Sequence, residues 1–122
     1  MKRWMMKRLI AWKNDAHRKP LILDGARQTG KSWLVKELGR TQFESMAYVS
    51  LENNEAMDQL FSGSLRPERL IAGIALASRT RIEPGKTLIV LDEVQAIPRA
   101  VEALKYFAEE ACEYALIATG SS

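Results

Sequence analysis

Short apolar runs alternate along this chain with amphipathic segments of helical period. In Lys2 to Asn14, Met5, Leu9 and Trp12 recur at helical spacing with charges between them, which predicts a helix with Trp4, Met5, Leu9 and Trp12 packed inward. A polar connector, Asn14 to Lys19, leads to Pro20, a residue suited to the start of a strand. Leu21-Ile22-Leu23 is a continuous apolar run, as in a strand buried on both faces. A helix is expected from Lys31 to about Leu38, packed through Trp33, Leu34 and Leu38 and stopped by Gly39. Met46 to Leu51 alternates, with Tyr48 and Ser50 on one face and Ala47, Val49 and Leu51 on the other, and predicts a second strand.

Asn53 to about Phe61 predicts a short helix, and Ser62-Gly63-Ser64 a turn. Pro67 opens a helix to about Arg79, with Leu70, Ile71, Ile74 and Ala77 inward. After a turn at Glu83-Pro84-Gly85-Lys86, four apolar residues end in Asp92 and Glu93. That pattern describes a buried strand whose carboxyl end emerges at a ligand crevice. Pro98 opens a helix to about Glu113, with Val101, Leu104, Phe107, Ala108 and Ala111 on its apolar stripe. A last strand, Tyr114 to Ala118, ends in Thr119-Gly120-Ser121-Ser122. This order of elements argues for a parallel α/β sheet.

The 122 residues suffice for one small domain with a core, and 47% hydrophobic with 27% charged residues is ordinary soluble composition. No apolar run approaches the roughly 18 residues that span a membrane. Lys7 and Arg8 interrupt the N-terminal apolar positions and no cleavage site follows, so export is rejected and a cytoplasmic protein expected. The single cysteine, Cys112, excludes an internal disulfide and a cysteine metal cluster, and is expected as a small buried residue on a helix. Residues 1–20 hold seven basic residues against Asp15 alone, whereas the rest hold 11 basic and 14 acidic residues. A basic helix that touches nucleic acid or an acidic partner stays open, but a solvated helix face is favoured, because charge asymmetry is weak evidence of partners.

Chemistry enters with Gly25-Ala26-Arg27-Gln28-Thr29-Gly30-Lys31-Ser32, the G-x-x-x-x-G-K-[ST] spacing of a phosphate-binding loop between a strand and a helix. Gly25 and Gly30 permit backbone angles and close approach that side chains would block. The N–H groups of the loop, from Ala26 through Thr29, and the following helix N-terminus would face phosphate oxygens. Lys31 brings a point charge to the β- and γ-phosphates, and the Ser32 hydroxyl can ligate Mg²⁺. An ordinary glycine-rich turn is the bland alternative, disfavoured by the strand before and the helix after. With the loop in place, Asp92 can hold the Mg²⁺ shell opposite Ser32, and Glu93 can orient or deprotonate an attacking water. Without it, the two acids would simply end a strand at the surface.

The segments PLILDGARQTGKSWLVKEL, TLIVLDEVQAIPRAVEALKYFAEE and ALIATGSS resemble P-loop ATPases of the AAA superfamily, in a prokaryotic branch of AAA-type ATP-binding proteins with a C-terminal domain of unknown function. The resemblance implies a P-loop NTPase three-layer αβα sandwich with a parallel sheet, ended before its fifth core strand. It divides the chain into a basic helix and connector, 1–19, and a partial AAA-type core, 20–122. It implies ATP and Mg²⁺ as ligands, with Lys31, Glu93 and a polar sensor at Ser121 in catalytic roles and Ser32 and Asp92 at the metal. Ser50 is implied as a holder of Glu93. Arg27, Gln28 and Gln95 match the family without a physical role, and Asp24 beside the loop needs its charge turned away or neutralised, for example by Lys19 or Arg27.

Relatives continue past Ser122 in a strand order 5-1-4-3-2, so Leu21-Ile22-Leu23 is expected as an unprotected edge. A lid, a second sensor and an arginine finger are not found in the sequence; Arg79, Arg81 and Arg99 are present, but nothing places one at a neighbour's phosphate. Slow or absent turnover by this chain alone is therefore expected. ATP binding and, in the complete protein, Mg-dependent hydrolysis that drives conformational change is the leading reading, with a homo-oligomer or a missing C-terminal domain as partner. The rivals are a nucleotide-binding module without effective hydrolysis, a small-molecule phosphotransferase, and nucleic-acid contact through residues 1–20.

Overall fold

In the computed structural model, residues 2–25 and 30–121 are described. Ala26, Arg27, Gln28 and Thr29 of the expected phosphate loop lie outside the described residues, as do Met1, Ser122 and the side chains of Lys2 and Ser121. The elements are α1 (Lys2–Asn14), β1 (Leu21–Gly25), α2 (Lys31–Gln42), β2 (Ser45–Ser50), α3 (Glu55–Ser62), α4 (Pro67–Ser78), β3 (Thr87–Asp92), α5 (Pro98–Glu110) and β4 (Ala115–Ser121). A single 3-10 turn, Val94–Ala96, follows β3. The four described strands are all parallel in the order β1-β4-β3-β2. The fold is the expected α/β sandwich.

Alternation along the strands divides the core. Leu88 and Val90 of β3 and Ala115 and Ile117 of β4 face α1 and α2, where Leu9, Leu34, Val35 and Leu38 are buried. Ile89, Leu91, Leu116 and Ala118 point the opposite way, onto Phe61, Leu70, Ile74 and Phe107 of α3, α4 and α5. β3 is buried over five of its six residues, as its unbroken apolar run requires. β1 behaves differently. Leu21 and Leu23 pack toward α1, but Ile22 on the other face is 53% exposed, so the apolar run marks a strand covered on one side.

Several expectations are corrected. α2 passes through Gly39 to Gln42. Gly39 is a packing residue, since a Cβ there would lie 2.6 Å from Met46 Sδ. Trp33 is 49% exposed, because the buried stripe of α2 runs through Leu34, Val35 and Leu38. Trp4, one position off the Met5-Leu9-Trp12 stripe, is 58% exposed under the Arg8 guanidinium. Ala77 and Val101 also face outward. α5 ends at Glu110, which leaves Cys112 half-buried in a turn, while β4 continues to Ser121.

The connector after α1 is pinned. Trp12 Nε1 donates to the Lys19 carbonyl at 2.7 Å, and the Arg18 guanidinium donates to the carbonyls of Lys13 and Glu113. Part of the N-terminal positive charge thus serves the fold.

Candidate functional site

The site is built where the carboxyl ends of β1, β4 and β3 meet the first turn of α2. Gly25 pairs with Ser121 and Asp24 with Gly120, so β1 and β4 end level. Gly30 caps α2 at φ 81°, ψ 9°, a left-handed conformation that glycine takes without a Cβ clash. Lys31 follows, half-buried, and its ammonium donates to the carbonyls of Gly25 and Gly120. Ser32 is exposed in the first turn of the helix.

Asp92 ends β3 opposite Ser50. One carboxylate oxygen accepts from the Thr119 hydroxyl and the other from the Tyr48 hydroxyl. Burial pushes the Asp92 carboxyl up, but the bonds from Thr119, Tyr48 and the Glu93 backbone N–H, with the charge of Lys31, outweigh it and hold the pKa below its ordinary value. Asp92 is therefore a carboxylate at neutral pH. Tyr48 is driven the other way by burial and by its place beside Asp92 and Glu93, and stays a phenol.

Glu93 turns the chain out of the sheet at φ 54°, ψ 51°, a left-handed conformation unusual for a residue with a Cβ. Its carboxylate accepts from Gln95 Nε2 at 2.7 Å. The Ser50 hydroxyl accepts from the Glu52 N–H at 3.4 Å. Asp24 is exposed and points to the face away from α2, its Oδ1 beside Gly120. Gly25, Gly30, Lys31, Asp92 and Glu93 thus gather at one end of the sheet, with Ser32 on the adjoining helix turn.

Sequence reasoning missed Thr119 and Tyr48. Thr119 is one of two buried polar residues among those described, only 3% exposed in the continuation of β4. A threonine following a fully apolar strand was the available signal. Arg99 is engaged elsewhere, donating to the carbonyls of Phe61 and Gly63. A cleft of about 500 Å³ between the α3–α4 connection and α5 contains none of the site residues, and its Arg66 is paired with Glu110 at 3.1 Å. Among the described residues no cluster of three His, Cys, Asp or Glu could enclose a metal, and no helix is long and apolar enough to cross a membrane.

Residues 17–122 match a family model described as an AAA domain. The fold is similar to that in the structure of C. elegans PCH-2, with a TM-score of 0.58 and 19% identity, over 99% of this chain and 37% of that one. At that identity the likeness shows the fold, and this chain spans little more than a third of that structure's length. No curated protein matches.

Proposed function

The chain belongs to the AAA domain family, a family of ATP-binding, ATPase-type function, and from that premise we propose that it binds Mg-ATP at the ends of β1, β4 and β3 and hydrolyses it, slowly in this chain alone. The observation that supports this most is the seat of Lys31, whose ammonium is held between the ends of β1 and β4 with its charge felt by Asp92. A lysine resting on two carbonyls is pre-placed to exchange them for phosphate oxygens.

The ionised Asp92 carboxylate and the exposed Ser32 hydroxyl are hard oxygen donors that fit Mg²⁺, an ion that takes few protein ligands beside phosphates and water. When bound there, Mg²⁺ supplies charge neutralisation at the β- and γ-phosphates. In this reading the loop from Gly25 to Gly30, including Ala26, Arg27, Gln28 and Thr29, wraps the phosphates, and Lys31 binds their β- and γ-oxygens. Glu93 orients a water and accepts its proton as the water oxygen attacks the γ-phosphorus. The bond to the bridging oxygen breaks, and ADP leaves with the electron pair. Ser121 is a polar contact at the γ-phosphate, and conformational change carried to further parts or subunits completes the proposal.

ATP binding and phosphate release by wild type, Lys31→Ala and Glu93→Gln test it. Lys31→Ala should lose binding, while Glu93→Gln should keep binding and lose hydrolysis. Undiminished binding by Lys31→Ala would overturn the phosphate site, and wild-type release no faster than that of Glu93→Gln would overturn hydrolysis.

A further inference from the structure

We propose that Gln95 is the positioning residue of Glu93, and that Gly120 lacks a side chain to give the Gln95 amide its seat. This rests on the hydrolytic reading of the same site. Glu93 projects from a left-handed corner, and a glutamate side chain has many rotamers from which a hydrogen bond can select. Gln95, two residues on in the 3-10 turn, donates its amide to the Glu93 carboxylate at 2.7 Å. The bond ties one carboxylate oxygen of Glu93 to the 3-10 turn and so favours one orientation of the side chain.

The other end of the amide explains Gly120. A Cβ on Gly120 would stand 2.9 Å from Gln95 Oε1 and 3.3 Å from Asp24 Oδ1, so the space a side chain would fill is taken by the glutamine amide. Gly120 is also the residue whose carbonyl receives the Lys31 ammonium. Gln95 therefore braces the Glu93 carboxylate beside the strand end whose carbonyl receives the Lys31 ammonium. The obstructing atom ends a flexible, exposed side chain, so Gly120→Ala should fold, yet it must displace the amide.

The test uses the full chain. Gln95→Ala should lower kcat about tenfold, the low end for a lost hydrogen bond to a charged group. ATP affinity should stay within about twofold, because the amide is bonded to Glu93 and not to the phosphate lysine. Gly120→Ala should reproduce the loss, and the double variant should be no slower than either single one, since both break one contact. Wild-type kcat in Gln95→Ala, a loss confined to affinity, or additive losses would each overturn the proposal. A second readout does not depend on turnover: the Gln95 side-chain amide resonance should move in Glu93→Ala and in Gly120→Ala. An unmoved resonance in both would overturn the proposed contact. Wild-type protein that binds ATP without releasing phosphate would overturn the hydrolytic reading, and the resonance alone would then decide whether Gln95 holds Glu93.

Discussion

Thr119→Val probes the best-buried polar contact of the site. The substitution keeps the shape of a side chain only 3% exposed and removes one hydroxyl, the donor to Asp92. A hydrogen bond to a charged acceptor contributes about 1.5–3 kcal/mol. Asp92 keeps Tyr48 and the Glu93 N–H, and its half-exposed carboxylate regains some water, so the expected loss is near 1 kcal/mol, or about 4 °C in Tm for a domain of this size. The pH dependence has a definite sign. Asp92 titrates below its ordinary value in the folded state, so the stability it contributes is present above the ordinary carboxylate range and lost as pH falls through the folded pKa. The gap between wild type and Thr119→Val should therefore be widest near neutrality and narrow in acid. Urea unfolding at several pH values measures it. In an Asp92→Ala background the hydroxyl has lost its acceptor, and Thr119→Val should cost nothing or stabilise. The same loss with and without Asp92, or at every pH, would refute the assignment.

Asn54 caps α3, with its side chain accepting from the Met57 N–H at 3.1 Å and donating to the Ser50 carbonyl at 3.0 Å, so Asn54→Ala should cost about 1 kcal/mol in denaturant unfolding. Arg79 ends α4 in a left-handed conformation, and Arg79→Gly should raise stability by up to about 1 kcal/mol; a lower Tm would show that its side chain matters more than its backbone. Ile22 is exposed on the edge strand β1, and Ile22→Lys should reduce concentration-dependent association in sedimentation without loss of helical signal. Association unchanged by the lysine would place any self-contact elsewhere.

The strands were legible as apolar or alternating runs, while their order and the gathering of Gly25, Lys31, Asp92 and Glu93 at one end came from the motif spacing and the family resemblance. Errors came where one apolar residue could lie on either side of a boundary. Gly39 reads as a helix stop by local rules, but close approach of β2 decides it, and only the sheet supplies Met46. Trp33 and Trp4 look like core residues by type and fall outside the stripes their neighbours define. Tyr48 and Thr119 were invisible as partners of Asp92, since 44 and 27 residues separate them from it in sequence.

Two described residues outside the glycines and Asn53 hold a left-handed backbone, Arg79 and Glu93, each at φ 54°. Both conformations cost about 1–2 kcal/mol for an L-residue. At Arg79 the cost is offset by the cap itself, as its N–H closes onto the carbonyls of Ala75 and Leu76. At Glu93 the corner is equally fixed by the backbone, through Leu51 N–H to the Asp92 carbonyl at 2.9 Å and Ala96 N–H to the Glu93 carbonyl at 3.0 Å. Glycine would satisfy that geometry without strain, so folding alone does not account for a glutamate there. The side chain has to be explained by what it touches, and its carboxylate accepts the Gln95 amide, which lies beside the Gly120 whose carbonyl receives the Lys31 ammonium. A strained backbone at the proposed site is evidence in that direction, from the outlier to the role. Glu93→Gly should accordingly fold at least as stably as wild type while abolishing phosphate release; a large fall in Tm would return Glu93 to the fold and remove this argument for its chemistry.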